Sequence, residues 1–399
     1  METVYKISTL SHLSCSCCGK KYNAHQLQTY AACCNKALVA KYDFDKEFAI
    51  NFSNELLLNR PSTMWRYKEV LPVFDEKNIV SLGEGFTPIL ELTSLGNRHG
   101  LPNLLLKDES NNPTGSFKAR GQSVAISKAK EFGIEDCIIP TAGNAGSAMA
   151  AYCAAAGMKA TVVMPRHTPE LFKQECEIYG ANLILVDGLI SDCAKKVAQL
   201  KMQKNYFDLS TLREPYRLEG KKALGYEIAE QLSWNLPDVI LYPTGGGTGL
   251  IGIWKAFHEM QQLGWIGKKL PRMIAVQAEN CQPIVKTWKQ LQPNAKNYEG
   301  NPSLANGLAV PNPFAEDMIL EVLRSSMGFP IAISDESMIQ SVKEIARTEG
   351  LFISPEGAAL WSALKELLAN GMIKRTEKIL LLNTGAGYKY VENLSGCQS

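Results

Sequence analysis

From residue 104 onward the chain alternates short apolar runs with longer segments of helical periodicity, and this alternation limits the fold more than any other feature. The runs are 104–106, 137–140, 160–164, 183–186, 239–242, 273–276 and 379–382. They are apolar at nearly every position, not at every second one, as expected of strands buried on both faces of a parallel sheet. The helical segments between them are 118–132, 144–156, 169–179, 217–232 and 248–262, with Gly133, Gly157 and Gly180 at helix ends. The expected class is α/β with parallel sheets. Ligands of such sheets bind beyond the carboxyl ends of the strands. The polar loops after Pro140, Tyr242 and Leu382 all lie there, and a single crevice would gather them.

At 399 residues the chain has room for two or three domains. A formal net charge of +2 without a basic stripe of interleaved aromatics gives no reason to expect nucleic acid as a partner. No apolar run reaches spanning length, and Met1 to Leu10, with Glu2 and Lys6, lacks an apolar h-region. The expectation is a soluble cytoplasmic protein with no membrane partner. Of the eleven cysteines, Cys15, Cys17, Cys18, Cys33 and Cys34 crowd near the N-terminus, whereas others such as Cys137, Cys153 and Cys176 sit in apolar stretches suited to buried reduced thiols. An odd total argues against a disulfide framework. Before Ser81 the pattern changes, and Trp65, Tyr67 and Phe74 are expected to pack on the main body.

Four segments carry the chemistry. In Asn112-Pro113-Thr114-Gly115-Ser116-Phe117-Lys118-Ala119-Arg120-Gly121 a lysine stands between an aromatic residue and a helix start. Phe117 offers apolar cover, and the positive end of the helix dipole lowers the basicity of Lys118, as a Schiff-base lysine needs. Gly245, Gly246 and Gly247 let backbone N–H groups close on a phosphate at the N-terminus of the next helix, where Thr248 adds a hydroxyl. The loop is not a P-loop, since no Lys-Ser or Lys-Thr follows, and it fits the dinucleotide fingerprint poorly. Thr141-Ala142-Gly143-Asn144 opens another helix whose N–H groups suit a substrate carboxylate, while Asn144 either donates to a phenolic ring oxygen or simply caps the helix. Thr384, in Asn383-Thr384-Gly385-Ala386-Gly387, can face a pyridine nitrogen and leave it neutral, or close an ordinary turn. One lysine and two anion-binding loops are what an aldehyde cofactor bearing a phosphate requires.

In this order the segments resemble the fold-type II pyridoxal-phosphate enzymes, which are tryptophan synthase β-like, and within them the threonine synthase family. The resemblance extends to Gly83-Glu84-Gly85-Phe86-Thr87-Pro88, Lys107-Asp108-Glu109, Pro215-Tyr216-Arg217-Leu218-Glu219-Gly220-Lys221 and Thr384-Gly385-Ala386-Gly387, and spans about Ser81 to Tyr390. It implies two parallel-sheet domains and pyridoxal 5'-phosphate as cofactor, joined to Lys118 as the catalytic lysine. Phe117, Asn144, Gly245, Gly246, Gly247, Thr248 and Thr384 would bind that cofactor. Thr141, Gly143 and Arg217 would bind a small amino-acid substrate, O-phospho-L-homoserine, which reacts with water to give L-threonine and phosphate. The expected organisation is a zinc-ribbon-like segment at 1–43, an extension at 44–111 packed on the body, a smaller mobile α/β subdomain at 112–208 and a larger cofactor domain at 209–399. A homodimer is expected from the family alone.

The chain also departs from the family. Ala119 replaces a frequent aspartate, as in serine and threonine ammonia-lyases; Ser210 to Glu214 replaces an asparagine-rich segment; and Ala142 and Ala145 flank Asn144 without the usual hydroxyls. Glu214 would repel a substrate phosphate unless turned away, and either Arg213 or Arg217 could attract one. A serine or threonine ammonia-lyase, a replacement enzyme acting on O-phosphoserine, and a non-catalytic protein whose ribbon docks a partner are the alternatives. Cys15 and Cys18 resemble the first half of a zinc ribbon, but Ala31-Ala32-Cys33-Cys34 lacks one ligand of the second. Zinc would be held by Cys15, Cys18, Cys33 and Cys34, with Cys17 or His12 as other substitutes, unless the ribbon folds without metal.

Overall fold

A computed structural model of the chain describes residues 7–45, 48, 51–290 and 298–395. The reading of Met1 to Leu10 as free of an h-region falls mostly on residues outside that set. Three sheets organise the chain. The largest has the order β12-β11-β10-β13-β5-β4, built from β4 (Ile89–Glu91), β5 (Leu104–Asp108), β10 (Val239–Pro243), β11 (Arg272–Ala278), β12 (Phe329–Ile333) and β13 (Ile379–Asn383). Its strands run parallel except β4, which is antiparallel to β5. A second, parallel sheet has the order β8-β7-β6-β9, with β6 (Asp136–Pro140), β7 (Lys159–Pro165), β8 (Asn182–Val186) and β9 (Phe207–Asp208). The third is an N-terminal antiparallel ribbon, β2-β1-β3, of β1 (Leu10–Cys15), β2 (Lys21–Asn23) and β3 (Leu38–Tyr42).

All seven apolar runs are strands, and every residue of β5, β10 and β13 is buried, as two-sided coverage by helices demands. The reading missed β12 because Pro330 interrupts it. A proline is tolerated there since β12 is an edge strand, bonded on one side only. It also missed the helix Pro355–Ala369, although Ser354 accepts the N–H of Gly357 and Pro355 follows as the first helical residue, a start signal visible in the sequence.

Several of the motif residues are scaffold. Arg120 is fully buried and bonds Glu109 and Glu227, and Lys107 bonds Glu227, so four charges cancel between β5 and the helices Lys118–Glu131 and Tyr216–Gln231. Burying charge this deep is tolerable only with such complete pairing. Glu84 accepts from Trp65, Ser123 and Tyr152, and a Cβ at Gly85 would lie 2.4 Å from the Met64 nitrogen. These contacts fix where Lys118 emerges.

The ribbon has a small core of Leu10, Leu13, Leu38 and Ala40 with Phe74. It meets the body through a Lys36–Asp317 ion pair and through Tyr30, whose ring packs edge-on to Phe314. Among the described residues no helix is long and apolar enough to cross a membrane.

Candidate active site

The loops at the carboxyl ends of β6, β10 and β13 converge on one cavity, partly open to solvent. Lys118, Phe117, Thr141, Gly143, Asn144, Arg217, Gly245, Gly246, Gly247, Thr248 and Thr384 all line it. Every residue assigned from sequence to the cofactor or the substrate is therefore brought together, although they lie up to a few hundred positions apart.

Lys118 is the first residue of its helix, and its Nζ lies 4.5 Å from the centre of the Phe117 ring. Burial, reinforced by the nearby Arg217 charge and opposed by Glu356, lowers its amine to about 8. A substantial fraction of the nucleophilic free amine is then present near neutral pH.

The glycine loop is a close-fitting cradle. A Cβ at Gly245 would stand 2.2 Å from the Gly307 carbonyl oxygen, and Gly247 has φ +74° with Ile319 2.3 Å from where its Cβ would be. No other residue fits either position. Thr248 begins the helix Thr248–Gln262, whose first N–H groups lack intrahelical acceptors and so face an incoming anion.

At the other helix start the cap is not Asn144. The Thr141 hydroxyl accepts from the N–H groups of Gly143 and Gly146, at 3.1 and 3.3 Å, and leaves the Asn144 side chain free for another task. Its amide is oriented by two neighbours: Nδ2 donates to the Tyr390 hydroxyl and Oδ1 accepts from Lys389 Nζ, each at 3.2 Å. Tyr390 in turn donates to Glu356 Oε1 at 2.8 Å, which also accepts the Gly307 N–H. Glu356 Oε2 is buried without a hydrogen-bond partner. The Thr384 backbone carbonyl accepts the Phe117 N–H, and its side chain lines the cavity.

The substrate-side residues separate cleanly. Arg217 lines the cavity and donates to the Leu209 carbonyl, while its buried Nε has no partner. Arg213 is elsewhere, its guanidinium 4.8 Å from the Phe314 ring and 5.7 Å from that of Tyr30. Glu214 is turned onto the backbone, accepting from the N–H groups of Tyr216 and Arg217 at 2.7 and 3.0 Å. Burial raises its carboxyl to about 7, against the pull of Arg217. Ala119 is fully buried and absent from the cavity wall, so its departure from the family pattern lies away from the reacting groups.

Glu356, Tyr390, Ser354 and Gly307 also line the cavity and escaped the sequence reading. The cue for the first was the Ser354-Pro355-Glu356 helix start; for Tyr390 and Gly307 there was none.

At the other end of the fold, the Sγ atoms of Cys15, Cys18, Cys33 and Cys34 lie within 4.8 Å of one another. Cys33 takes the place of the ligand missing at Ala31, and Cys17 and His12 stand outside the group. Four thiolates around one zinc at ~2.3 Å require sulfur separations of about 3.8 Å, a spacing this cluster accommodates.

Comparison with known proteins agrees with this geometry. Residues 80–385, which include Lys118, the glycine loop and Thr384, match the family described as pyridoxal-phosphate dependent enzyme. A threonine synthase of Methanocaldococcus jannaschii is 36% identical over 376 residues, covering 94% of this chain and 92% of the relative. A threonine synthase of Methanosarcina acetivorans is 34% identical over 375 residues, covering 94% and 91%. Coverage this high carries both alignments into the ribbon. Among solved structures, the diaminopropionate ammonia lyase of Escherichia coli is similar with a TM-score of 0.67 over 79% of this chain and 89% of that one, at 19% identity, a likeness of fold.

Proposed function

The chain belongs to the pyridoxal-phosphate dependent enzyme family, and from its kinship with the threonine synthases we propose that it converts O-phospho-L-homoserine and water to L-threonine and phosphate. The observation that carries this reading is one cavity holding a lysine of lowered basicity, a glycine cradle at a helix N-terminus and a buried arginine with a free N–H.

The residues present fit pyridoxal 5'-phosphate. Lys118 would carry it, the N–H groups of Gly245, Gly246 and Gly247 and the Thr248 hydroxyl would hold its phosphate, and Phe117 would cover the attachment point. The Asn144 amide, oriented by Lys389 and Tyr390, would donate to the ring oxygen. Thr384 would meet the ring nitrogen with a neutral hydroxyl. Once bound, the cofactor supplies an electron sink that acidifies the substrate Cα–H. The chain's own residues do the rest. Gly143 and the helix start capped by Thr141 bind the substrate carboxylate. Arg217 binds the phosphate of the substrate and steadies it as it leaves Cγ. Lys118, once released, is placed to take protons from Cα and Cβ and to return one to Cγ after phosphate has left it, before water gives its OH to Cβ and a proton goes back to Cα. The unit at 112–208 closes over the cavity and excludes bulk water while these steps proceed. A biosynthetic enzyme of this kind would work in the cytoplasm.

The test is turnover of O-phosphohomoserine, O-phosphoserine, threonine and serine by the purified protein, with phosphate and ammonia both assayed. The expected result is phosphate and threonine from O-phosphohomoserine. Ammonia released faster from threonine or serine, or phosphate released only from O-phosphoserine, would assign one of the alternative activities.

The ribbon is read as a zinc site of Cys15, Cys18, Cys33 and Cys34. Protein expressed with zinc should carry one equivalent of the metal, and Cys33→Ser should lose most of it, because a tetrahedral site with three thiolates is left open. Metal content near zero in the wild type, or unchanged in Cys33→Ser, would remove the assignment.

A further inference from the structure

Among the described residues, five lysines are buried almost completely: Lys107, Lys128, Lys221, Lys222 and Lys389. Four of them reach a carboxylate, Lys107 at Glu227, Lys128 at Glu131, Lys222 at Glu219 and Glu259, and Lys389 at Glu175. Lys221 does not. Its Nζ donates to the Thr248 hydroxyl at 2.6 Å and lies 4.6 Å from the centre of the Phe117 ring. A buried ammonium with one hydroxyl and one aromatic ring for company is left with protons and charge uncompensated.

Its surroundings are cationic. Lys221 follows Arg217 by four residues on the helix Tyr216–Gln231, and so shares its face. Lys118 is also close by, its Nζ 4.5 Å from the centre of the same Phe117 ring. The one acid that acts on it, Glu214, gives its Oε2 to backbone N–H groups and makes no hydrogen bond to Lys221, although its Oε1 is buried without a partner. The packing leaves room for this: a Cβ on Gly121 would come within 3.0 Å of the Arg217 carbonyl oxygen and 3.2 Å of Lys221 Cε. Burial first, and then the charges of Lys118 and Arg217, push the Lys221 amine well below its ordinary value. An anion arriving at Thr248 reverses that balance.

We propose that Lys221 is a positioning residue of the anion cradle, which through the Thr248 hydroxyl completes the binding of the cofactor's phosphate. With its lone pair engaged by the ammonium, the Thr248 hydroxyl directs its own hydrogen into the cavity, toward the place where a phosphate oxygen sits. The ammonium supplies the positive charge that neutral N–H groups lack against a dianion. Sequence motifs did not point to this residue, because nothing local distinguishes Lys221 from the ion-paired Lys222 beside it. The inference rests on the cofactor reading given above, and the experiment keeps the two apart.

Full-length protein stripped of cofactor is titrated with pyridoxal 5'-phosphate and, separately, with pyridoxal, which lacks the phosphate. Attachment to Lys118 is confirmed by borohydride trapping and mass spectrometry. Lys221→Met should weaken pyridoxal phosphate by about 10- to 100-fold and leave pyridoxal within about twofold, the loss expected for one charge-assisted contact. Inorganic phosphate should raise the melting temperature of the cofactor-free wild type and not that of Lys221→Met. Thr248→Val should show the same selective loss, and the double variant should be no worse than either single one, since the two act as a unit. If Lys221→Met does not fold, Lys221→Gln, which removes the charge and keeps a polar chain, is titrated in its place and should show the same selective loss. Equal loss of both aldehydes, or unchanged affinity for pyridoxal phosphate, overturns the role of Lys221. A wild type that traps no cofactor on Lys118 overturns the cofactor reading itself.

Discussion

Lys118→Ala should lower phosphate release from O-phosphohomoserine by about 10⁴-fold, the upper end of what one positioned proton-transfer group contributes. The loss exceeds that of a binding residue because Lys118 has two tasks, attaching the cofactor and then moving protons at the substrate. No neighbour can replace it. The other cation on the cavity wall is Arg217, which remains protonated, and Lys221 does not line the cavity. The same protein should retain its melting temperature or gain slightly, since the replacement removes a polar group whose amine is already disfavoured as a cation by burial. Borohydride trapping should find no modified lysine. Activity within tenfold of wild type would discard the assignment. The lowered amine gives a second check. Capture of pyridoxal phosphate by the cofactor-free protein should quicken as pH rises through about 8, where the free amine becomes the major form. Arg217→Met, which removes a neighbouring positive charge, should move that limb to higher pH.

Arg217 itself carries the second large effect. Arg217→Met should reduce kcat/KM for O-phosphohomoserine by about 100-fold, the cost of a charge-assisted contact to phosphate. Affinity for pyridoxal phosphate should change far less, and a loss of cofactor instead would place Arg217 in the cofactor's cradle. Glu214 tunes this subsite. Its carboxyl, raised to about 7, is mostly neutral below that pH and ionised above it. As pH rises past 7 the new negative charge beside Arg217 should weaken the phosphate substrate, and Glu214→Gln should flatten that decline. The stability sign is opposite to that of a salt-bridged acid. Because the folded carboxyl titrates above its unfolded value, its contribution to stability is complete below the usual carboxylate range and is lost as pH rises through about 7. Glu214→Gln should therefore melt higher than wild type at pH 8 and show no such gain at pH 4.5.

Much of the cavity was legible in the sequence because its chemistry is contiguous. Phe117-Lys118, Gly245 to Thr248, Thr141 to Asn144 and Thr384-Gly385 each join a reactive or anion-binding group to a strand end or a helix start. Local backbone rules suffice to read them. Two arginines four residues apart were harder. Either could attract a phosphate, the family motif pointed to Arg217, and the structure places Arg217 on the cavity and Arg213 on the rings of Tyr30 and Phe314. The ribbon shows the same limit. Cys33, Cys17 and His12 were each open as the missing ligand, and the fold around the turn at Ala31 to Asn35 brings Cys33 into the group.

The sequence alone determined the α/β alternation, the lysine, the two anion loops and the family they resemble, because periodicity, glycine geometry and helix starts act over a few residues. Tertiary structure decided the rest: that Glu109 and Glu227 together neutralise Arg120 and Lys107, that Tyr390 and Glu356 orient Asn144, and that among the described residues Lys221 is the one lysine of the five buried almost completely that has no carboxylate. The physical reason is that a buried charge takes its meaning from the groups packed around it, and those groups come from segments far apart in the chain.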